Sequence, residues 1–395
     1  MSAAAAALSF ALAATIIHLI TIVVAAWRCR RFRKRSAEFN PTCGITLVRT
    51  ISDLGVYEAE TLRSSFCLTH PDHEIIFCAA AEGDPAVRIV RKLMADHPNG
   101  RARLLVGDER MSANPKLNNM LKGWRDARHE WIVFADSNLM LPPDYLEQVL
   151  AAWTSDTGAV CAPPIGNRPD GFWAEVECAF LNTYQARWQY SADSLRLGFA
   201  QGKTMLFRRD VLERHGGIAA LGSAVAEDAA TTKVVRNAGL RVRLAGPFFQ
   251  PLGRRSAAHV LARQLRWAQL RRLTFPMWFS LELLTGSLPP LLAIALAAPA
   301  LGLPRLAAVA GLAAVWFGSE ALLARIAGWP LTWRAPISWL LRDLLISLIW
   351  LRAWTATGYY WGGHKVELRT DGSSSIGTDG TIGTSAGAHH RWPSR

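Results

Sequence analysis

Apolar residues fall into three regimes along this chain. Residues 7–26 are almost uninterrupted apolar sequence, long enough to cross a bilayer as a helix. A second apolar region runs from about residue 281 to residue 360, whereas the stretch between the two has the mixed pattern of a water-soluble α/β protein. That layout predicts membrane segments at both ends and chemistry in the middle.

In the middle, short β-rich runs alternate with amphipathic ones. Strands are expected at 45–49, 74–79, 102–106 and 131–135, with helices near 59–65 and 85–94. Alternation at this spacing predicts a mostly parallel sheet covered by helices on both faces, in which ligands sit beyond the carboxyl ends of the strands. Two of these ends carry acids: the second strand runs into Glu82-Gly83-Asp84-Pro85, and the fourth ends at Asp136-Ser137-Asn138. Taken alone, an acid after a strand is usually a turn former or a helix cap. Residues 201–210 read as a loop entering a strand and a turn. Glu227 and Asp228 open a helical pattern that Gly239 stops, and acids there are ordinary first-turn residues.

Charge refines the picture. The net charge of +13 is concentrated beside apolar segments, at Arg28, Arg30, Arg31, Arg33, Lys34 and Arg35 and again over 254–272. Attraction to anionic lipid headgroups accounts for that placement without nucleic acid as a partner. No Lys or Arg precedes the first apolar run and no clear small-residue cleavage site follows it, which favours an uncleaved anchor over a signal peptide. The basic cluster after the anchor is expected on the cytoplasmic side, in a bacterium the inner face of the inner membrane. The six cysteines have no metal-ligand spacing and are expected to stay reduced there.

Asp84, Asp136-Ser137-Asn138, Glu227-Asp228 and Arg263-Gln264-Leu265-Arg266-Trp267 occur in the order of the three aspartates and the (Q/R)xxRW element of inverting, family-two-like glycosyltransferases. Asn114-Pro115-Lys116-Leu117-Asn118-Asn119, Gly202-Lys203-Thr204-Met205 and Gly216-Gly217 narrow this, so that residues 45 to 278 resemble the ceramide glucosyltransferase family, glycosyltransferase family 21. The resemblance implies a nucleotide-sugar-binding α/β domain of GT-A type (Rossmann-like) with N-terminal and C-terminal membrane helices. It implies donor contacts from Asp84, Lys116, Asp136 and Arg263, a general base in Asp228, and roles for Arg266 and Trp267 at the phosphates and the acceptor site. A departing UDP needs positive charge, which Mg²⁺ or Mn²⁺ on Asp136 would supply. Because the motif here is Asp-Ser-Asn and not Asp-x-Asp, Asn138 would offer the metal only an amide oxygen. Inversion needs a base on the acceptor side, opposite the diphosphate.

The Arg263–Trp267 region flows directly into Phe275-Pro276-Met277-Trp278-Phe279 and the second apolar region, placing the reaction against the bilayer. The expected donor is a UDP-sugar and the expected acceptor a lipid, ceramide or hopanoid; a processive polysaccharide synthase and a non-catalytic adaptor are the other readings. Where animal ceramide enzymes carry a His-Pro-Arg word, this chain has Gln185-Ala186-Arg187, which leaves the lipid and the sugar open. Spans are expected at 287–303 and 305–326. Arg342, Asp343 and Arg352 interrupt 336–360, which is read as an interfacial or re-entrant element. The expected divisions are an anchor with its basic flank over 1–35, the catalytic domain over 40–272, membrane and interfacial helices over 273–362, and a disordered tail over 370–395.

Overall fold

The computed structural model describes residues 2–35, 43–52, 55–112, 114–355, 358–361, 364–368 and 374–376. The chain opens with one long helix, α1 (Ala3–Arg35). An α/β region then follows as β1 (Ile45–Thr50), α2 (Glu58–Arg63), β2 (His73–Ala79), α3 (Pro85–Asp96), β3 (Ala102–Val106), α4 (Pro115–Asp126), β4 (Trp131–Asp136) and α5 (Tyr145–Ala151). After these come β5 (Thr157–Cys161), β6 (Pro164–Asp170), α6 (Phe172–Ala179), α7 (Arg187–Ser194), β7 (Thr204–Arg208), α8 (Arg209–Glu213), α9 (Glu227–Asn237), β8 (Arg241–Leu244) and β9 (Phe248–Arg254). A π-helical turn, Phe180–Ala186, joins α6 to α7.

Seven strands form one sheet in the order β3-β2-β1-β4-β7-β5-β8. Pairing is parallel from β3 to β4 and between β5 and β8, while β7 runs antiparallel to both of its neighbours. The expected mostly parallel layer is present; the inverted β7 is the feature that alternation did not predict. Side chains alternate across the sheet with the two-residue period of strands. Ile45, Leu47, Phe77 and Val133 face one core with Val87 and Val90 of α3 and Leu146 and Val149 of α5. Val48, Ile76, Ile132 and Phe134 face the other with Leu117, Met120 and Trp124 of α4. At Gly123 a Cβ would lie 2.3 Å from Val48, so the missing side chain lets α4 lie flat on β1 and fixes where its N-terminus points.

Helix α1 is not a separate appendage. Ile22, Ala25 and Cys29 of α1 are buried in the same core as one face of the sheet. The C-terminal region contains α10 (Ala257–Thr274), α11 (Pro276–Leu281), α12 (Leu288–Ala297), α13 (Arg305–Ala327) and α14 (Ala335–Thr355). By length and apolar composition two helices could cross a membrane, Ala3–Phe32 and Arg305–Ala327, and the bent pair Pro276–Leu284 and Leu288–Leu301 could make a third. Leu296 and Leu306 are 71% and 82% exposed, as expected of side chains that face lipid. β10 (Gly358–Trp361), β11 (His364–Leu368) and β12 (Ser374–Ile376) form a small antiparallel sheet. The remainder of 370–395, read from sequence as a disordered tail, lies outside the described residues.

Candidate active site

Four chain segments meet at the carboxyl end of β4. Asp136 is the last residue of that strand, and its N–H donates to the carbonyl of Lys203, the residue before β7. The antiparallel pairing therefore sets a lysine and a carboxylate side by side. Lys203 Nζ lies 2.7 Å from Asp136 Oδ2 and donates to Asn138 Oδ1 at 2.9 Å. On the other side Lys116 Nζ is 2.7 Å from Asp136 Oδ1, 2.8 Å from Glu227 Oε1 and 2.5 Å from the carbonyl oxygen of Gly202. Contact at Asp136 Oδ1 is charge proximity without hydrogen-bond alignment, since that oxygen has no hydrogen-bond partner.

Local sequence explains how each group arrives. Asn114 caps α4: its Oδ1 accepts from the N–H groups of Lys116 and Leu117, with Pro115 in the first helical turn. The same side chain donates from Nδ2 to Glu227 Oε2 at 2.7 Å, tying the N-terminus of α4 to that of α9. Asp228, next along α9, accepts from the N–H of Gly202 at 3.2 Å and of Ala229 at 2.7 Å. A Cβ at Gly202 would lie 2.6 Å from Glu227 Oε1 and 2.8 Å from Lys116 Nζ, so only glycine lets the backbone enter this cluster. The loop after β4 is held from beneath by Arg49, fully buried, which donates to the carbonyls of Ser137 at 2.7 Å and Leu139 at 3.1 Å.

Charge within the cluster is unevenly distributed. Burial works against ionisation of Asp136, but Lys116 and Lys203 outweigh it and hold its carboxyl well below the ordinary range. Burial likewise opposes the charge on Lys116, yet Asp136 and Glu227 raise its affinity for the proton above that of a free lysine. For Lys203 burial wins, and its pKa is lowered despite Asp136. Asp228 goes the other way: burial and the neighbouring negative Glu227 raise it to about 6. Two carboxylates that both feel Lys116 thus have opposite tendencies, one held as an anion and one more ready to take a proton.

Other predicted residues are placed differently. Asp84 caps α3, its Oδ1 accepting from the N–H of Ala86 at 2.8 Å. Arg263 pairs with the fully buried Glu177 of α6 and stacks over Trp267, with 4.4 Å between guanidinium carbon and ring centre, while its charge still reaches Lys203. Trp267 packs against Cys178, Leu181 and Leu252, and Arg266 precedes it on α10. Gln185 donates to Gln264 of α10 at 3.2 Å. Lys203, Glu177 and Arg49 were not assigned roles from sequence. For Lys203 a signal was there, in a lysine set directly before a short apolar strand.

Among the described residues no group of three or more His, Cys, Asp or Glu side chains could hold a metal. The oxygens that do converge, Asp136 Oδ2 and Asn138 Oδ1, both lie on the Lys203 ammonium. A carboxylate and an amide oxygen fit a hard cation that draws its other ligands from a diphosphate and water.

The family model for glycosyl transferase family 21 matches residues 13–374. Ceramide glucosyltransferase 1 of Caenorhabditis elegans is 27% identical over 276 residues, which cover 68% of this chain and 59% of that protein. Ceramide glucosyltransferase 3 of the same organism is 24% identical over 367 residues, 90% of this chain and 79% of that one. Among solved structures, a mannosyltransferase from Pyrobaculum calidifontis in complex with GDP-Man and Mn²⁺ is 20% identical, with a TM-score of 0.48 over 86% of this chain and 99% of that one.

Proposed function

This chain belongs to glycosyl transferase family 21, and from that premise we propose that it transfers a hexose, glucose first among the candidates, from a UDP-sugar to the primary hydroxyl of a lipid such as ceramide, with inversion. The observation that carries this reading is the pairing of an ion-locked Asp136 with an Asp228 raised to about 6, both beyond the strand ends of one α/β domain. Asp228 Oδ2 is held by the Gly202 amide, so the carboxylate is oriented before the acceptor arrives. It takes the hydroxyl proton as the acceptor oxygen attacks the anomeric carbon, and the bond to the diphosphate breaks on the opposite face. Lys116 and Lys203 stand where negative charge builds on the leaving diphosphate, and they stabilise it without large rearrangement. Mg²⁺ or Mn²⁺ would sit on Asp136 and Asn138 and, when bound, adds Lewis-acid stabilisation of the diphosphate oxygens.

The lipid acceptor follows from the setting. α10, which carries Arg263, Arg266 and Trp267, leads through α11 into the apolar helices, and α1 packs against the same core as the sheet. A lipid hydroxyl at the interface reaches such a site without leaving the membrane. We place the catalytic domain on the cytoplasmic face because the basic run Arg28–Arg35 at the end of α1 is retained there.

The test incubates membranes containing the protein with isotopically labelled UDP-glucose, UDP-N-acetylglucosamine and UDP-galactose and identifies the glycolipid formed by mass spectrometry. One labelled hexosyl lipid, abolished by chelation and restored by Mg²⁺ or Mn²⁺, is the expected result. A long polysaccharide or no labelled lipid would remove the reading.

A further inference from the structure

Both oxygens of Asp136 are occupied by ammonium groups of the chain itself. Lys203 Nζ is 2.7 Å from Oδ2 and 2.9 Å from Asn138 Oδ1, and Lys116 Nζ is 2.7 Å from Oδ1. The two side chains of the Asp-Ser-Asn segment therefore converge on one point, and that point is a lysine nitrogen. We propose that Lys203 is a resident cation: in the absence of donor it fills the position that a divalent metal would take on Asp136 and Asn138, and metal binding there depends on arrival of the diphosphate. This proposal rests on the donor site described above.

The physical reasons are three. An entering dication must first remove an ammonium from a carboxylate that is only 19% exposed, and the lysine then needs a new partner close by. The pair also offers just one carboxylate, whose Oδ1 lies on Lys116, with one amide oxygen beside it, whereas Mg²⁺ and Mn²⁺ seek about six oxygens and hold poorly to so few without a substrate phosphate. A diphosphate resolves both difficulties, since its oxygens accept the displaced Lys203 and complete the metal's coordination. Lysine suits such an exchange because its ammonium is a point charge on a rotatable stem, free of the planar fork that fixes arginine in one geometry. The backbone meanwhile stays fixed, because Lys203 is tied through its carbonyl to the N–H of Asp136.

The experiment titrates the full chain in lipid nanodiscs with Mn²⁺ at neutral pH and follows free Mn²⁺ by electron paramagnetic resonance, without nucleotide and then with saturating UDP. Wild type should bind weakly without UDP and at least about tenfold more tightly with it, about 1.4 kcal/mol or more. Lys203→Met should gain at least about tenfold in nucleotide-free affinity, and Asp136→Asn in that background should abolish the gain. Lys203→Arg keeps a cation in place and should stay as weak as wild type. If Lys203→Met does not fold, as judged by its melting transition, Lys203→Gln is read in the same way. Nucleotide-free affinity unchanged or weakened in the uncharged variant overturns the proposal. Glycosyl transfer by the same wild-type preparation is measured in parallel, so loss of the resident-cation idea is told apart from loss of the enzymatic reading.

Discussion

Two of the ionic clusters among the described residues are built on different plans. One joins the helices: Arg342 of α14 places Nη1 and Nη2 on the two carboxylate oxygens of Glu320 in α13, each at 2.9 Å, and Nε on Asp343 Oδ1 at 2.8 Å. Thr183 of the π-helical turn donates to Glu320 Oε2 at 2.7 Å, and the N–H of Ser287 donates to Asp343 Oδ2 at 3.0 Å. The three charged side chains are 0–1% exposed and every carboxylate oxygen has a partner. The other cluster, at the end of β4, uses lysines, keeps Lys116 and Asp136 about one-fifth exposed, and includes Asp228, which burial and Glu227 make reluctant to stay charged. The first fastens a planar guanidinium in a single geometry; the second holds movable ammonium groups against carboxylates that have another use. The sealed and saturated ion pairs join helices here, and the more open ones sit in the cluster proposed to carry the chemistry.

Breaking the sealed cluster should have the largest effect. Arg342→Met leaves Glu320 and Asp343 buried without their counter-ion and should cost about 3–5 kcal/mol. In detergent the variant should show a greatly lowered melting temperature or fail to accumulate. Changing Arg342, Glu320 and Asp343 together to Met, Leu and Leu should recover most of that loss, because no charge then remains buried alone. A melting temperature within a degree or two of wild type for Arg342→Met would show that the helices do not depend on the cluster.

The open cluster should respond to substitution in the opposite sense. Asp228 is raised in the folded protein from 3.8 to about 6. The folded form therefore binds the proton more tightly than the unfolded chain, and this contribution to stability is present in full below the unfolded value. It is lost as pH rises through about 6, so above that the ionised carboxylate works against folding. Asp228→Asn should raise the melting temperature at pH 8, with the gain shrinking as pH falls through about 6. Thermal melts of both proteins from pH 5 to pH 8 check this; a variant less stable than wild type at pH 8 would mean that Asp228 is an ordinary cap.

Much of this was legible in the chain. Strands β1 to β4 follow the expected runs to within a residue or two, because two-residue alternation and the helices between the strands leave little choice of register. Asp136 and Asp228 were singled out by the order of the family motifs, since an acid at a strand end or helix start is by itself an ordinary cap or first-turn residue. Lys203 stood in a quoted motif but was given no role, because its pairing with Asp136 is set by β7 running antiparallel beside β4, which the local pattern did not predict. A similar gap concerns α14. Arg342 and Asp343 interrupt an apolar run and suggested an interfacial or re-entrant element; that both are buried, with Glu320 on another helix neutralising the arginine, had no signal in the local sequence. Arg263 illustrates the converse: the motif pointed it at the donor, while Glu177, which stands in no recognisable sequence pattern, pairs with it and ties α10 to α6.

Asp228→Asn at saturating donor is the most direct test of the central claim, that the open cluster contains the base. Asparagine keeps the shape of the side chain and can still accept from the Gly202 N–H, so folding and UDP binding should survive. Glycolipid formation by the purified variant should fall by at least about 100-fold, the lower end of what a general base contributes. Turnover close to wild type, with UDP binding intact, would contradict the assignment.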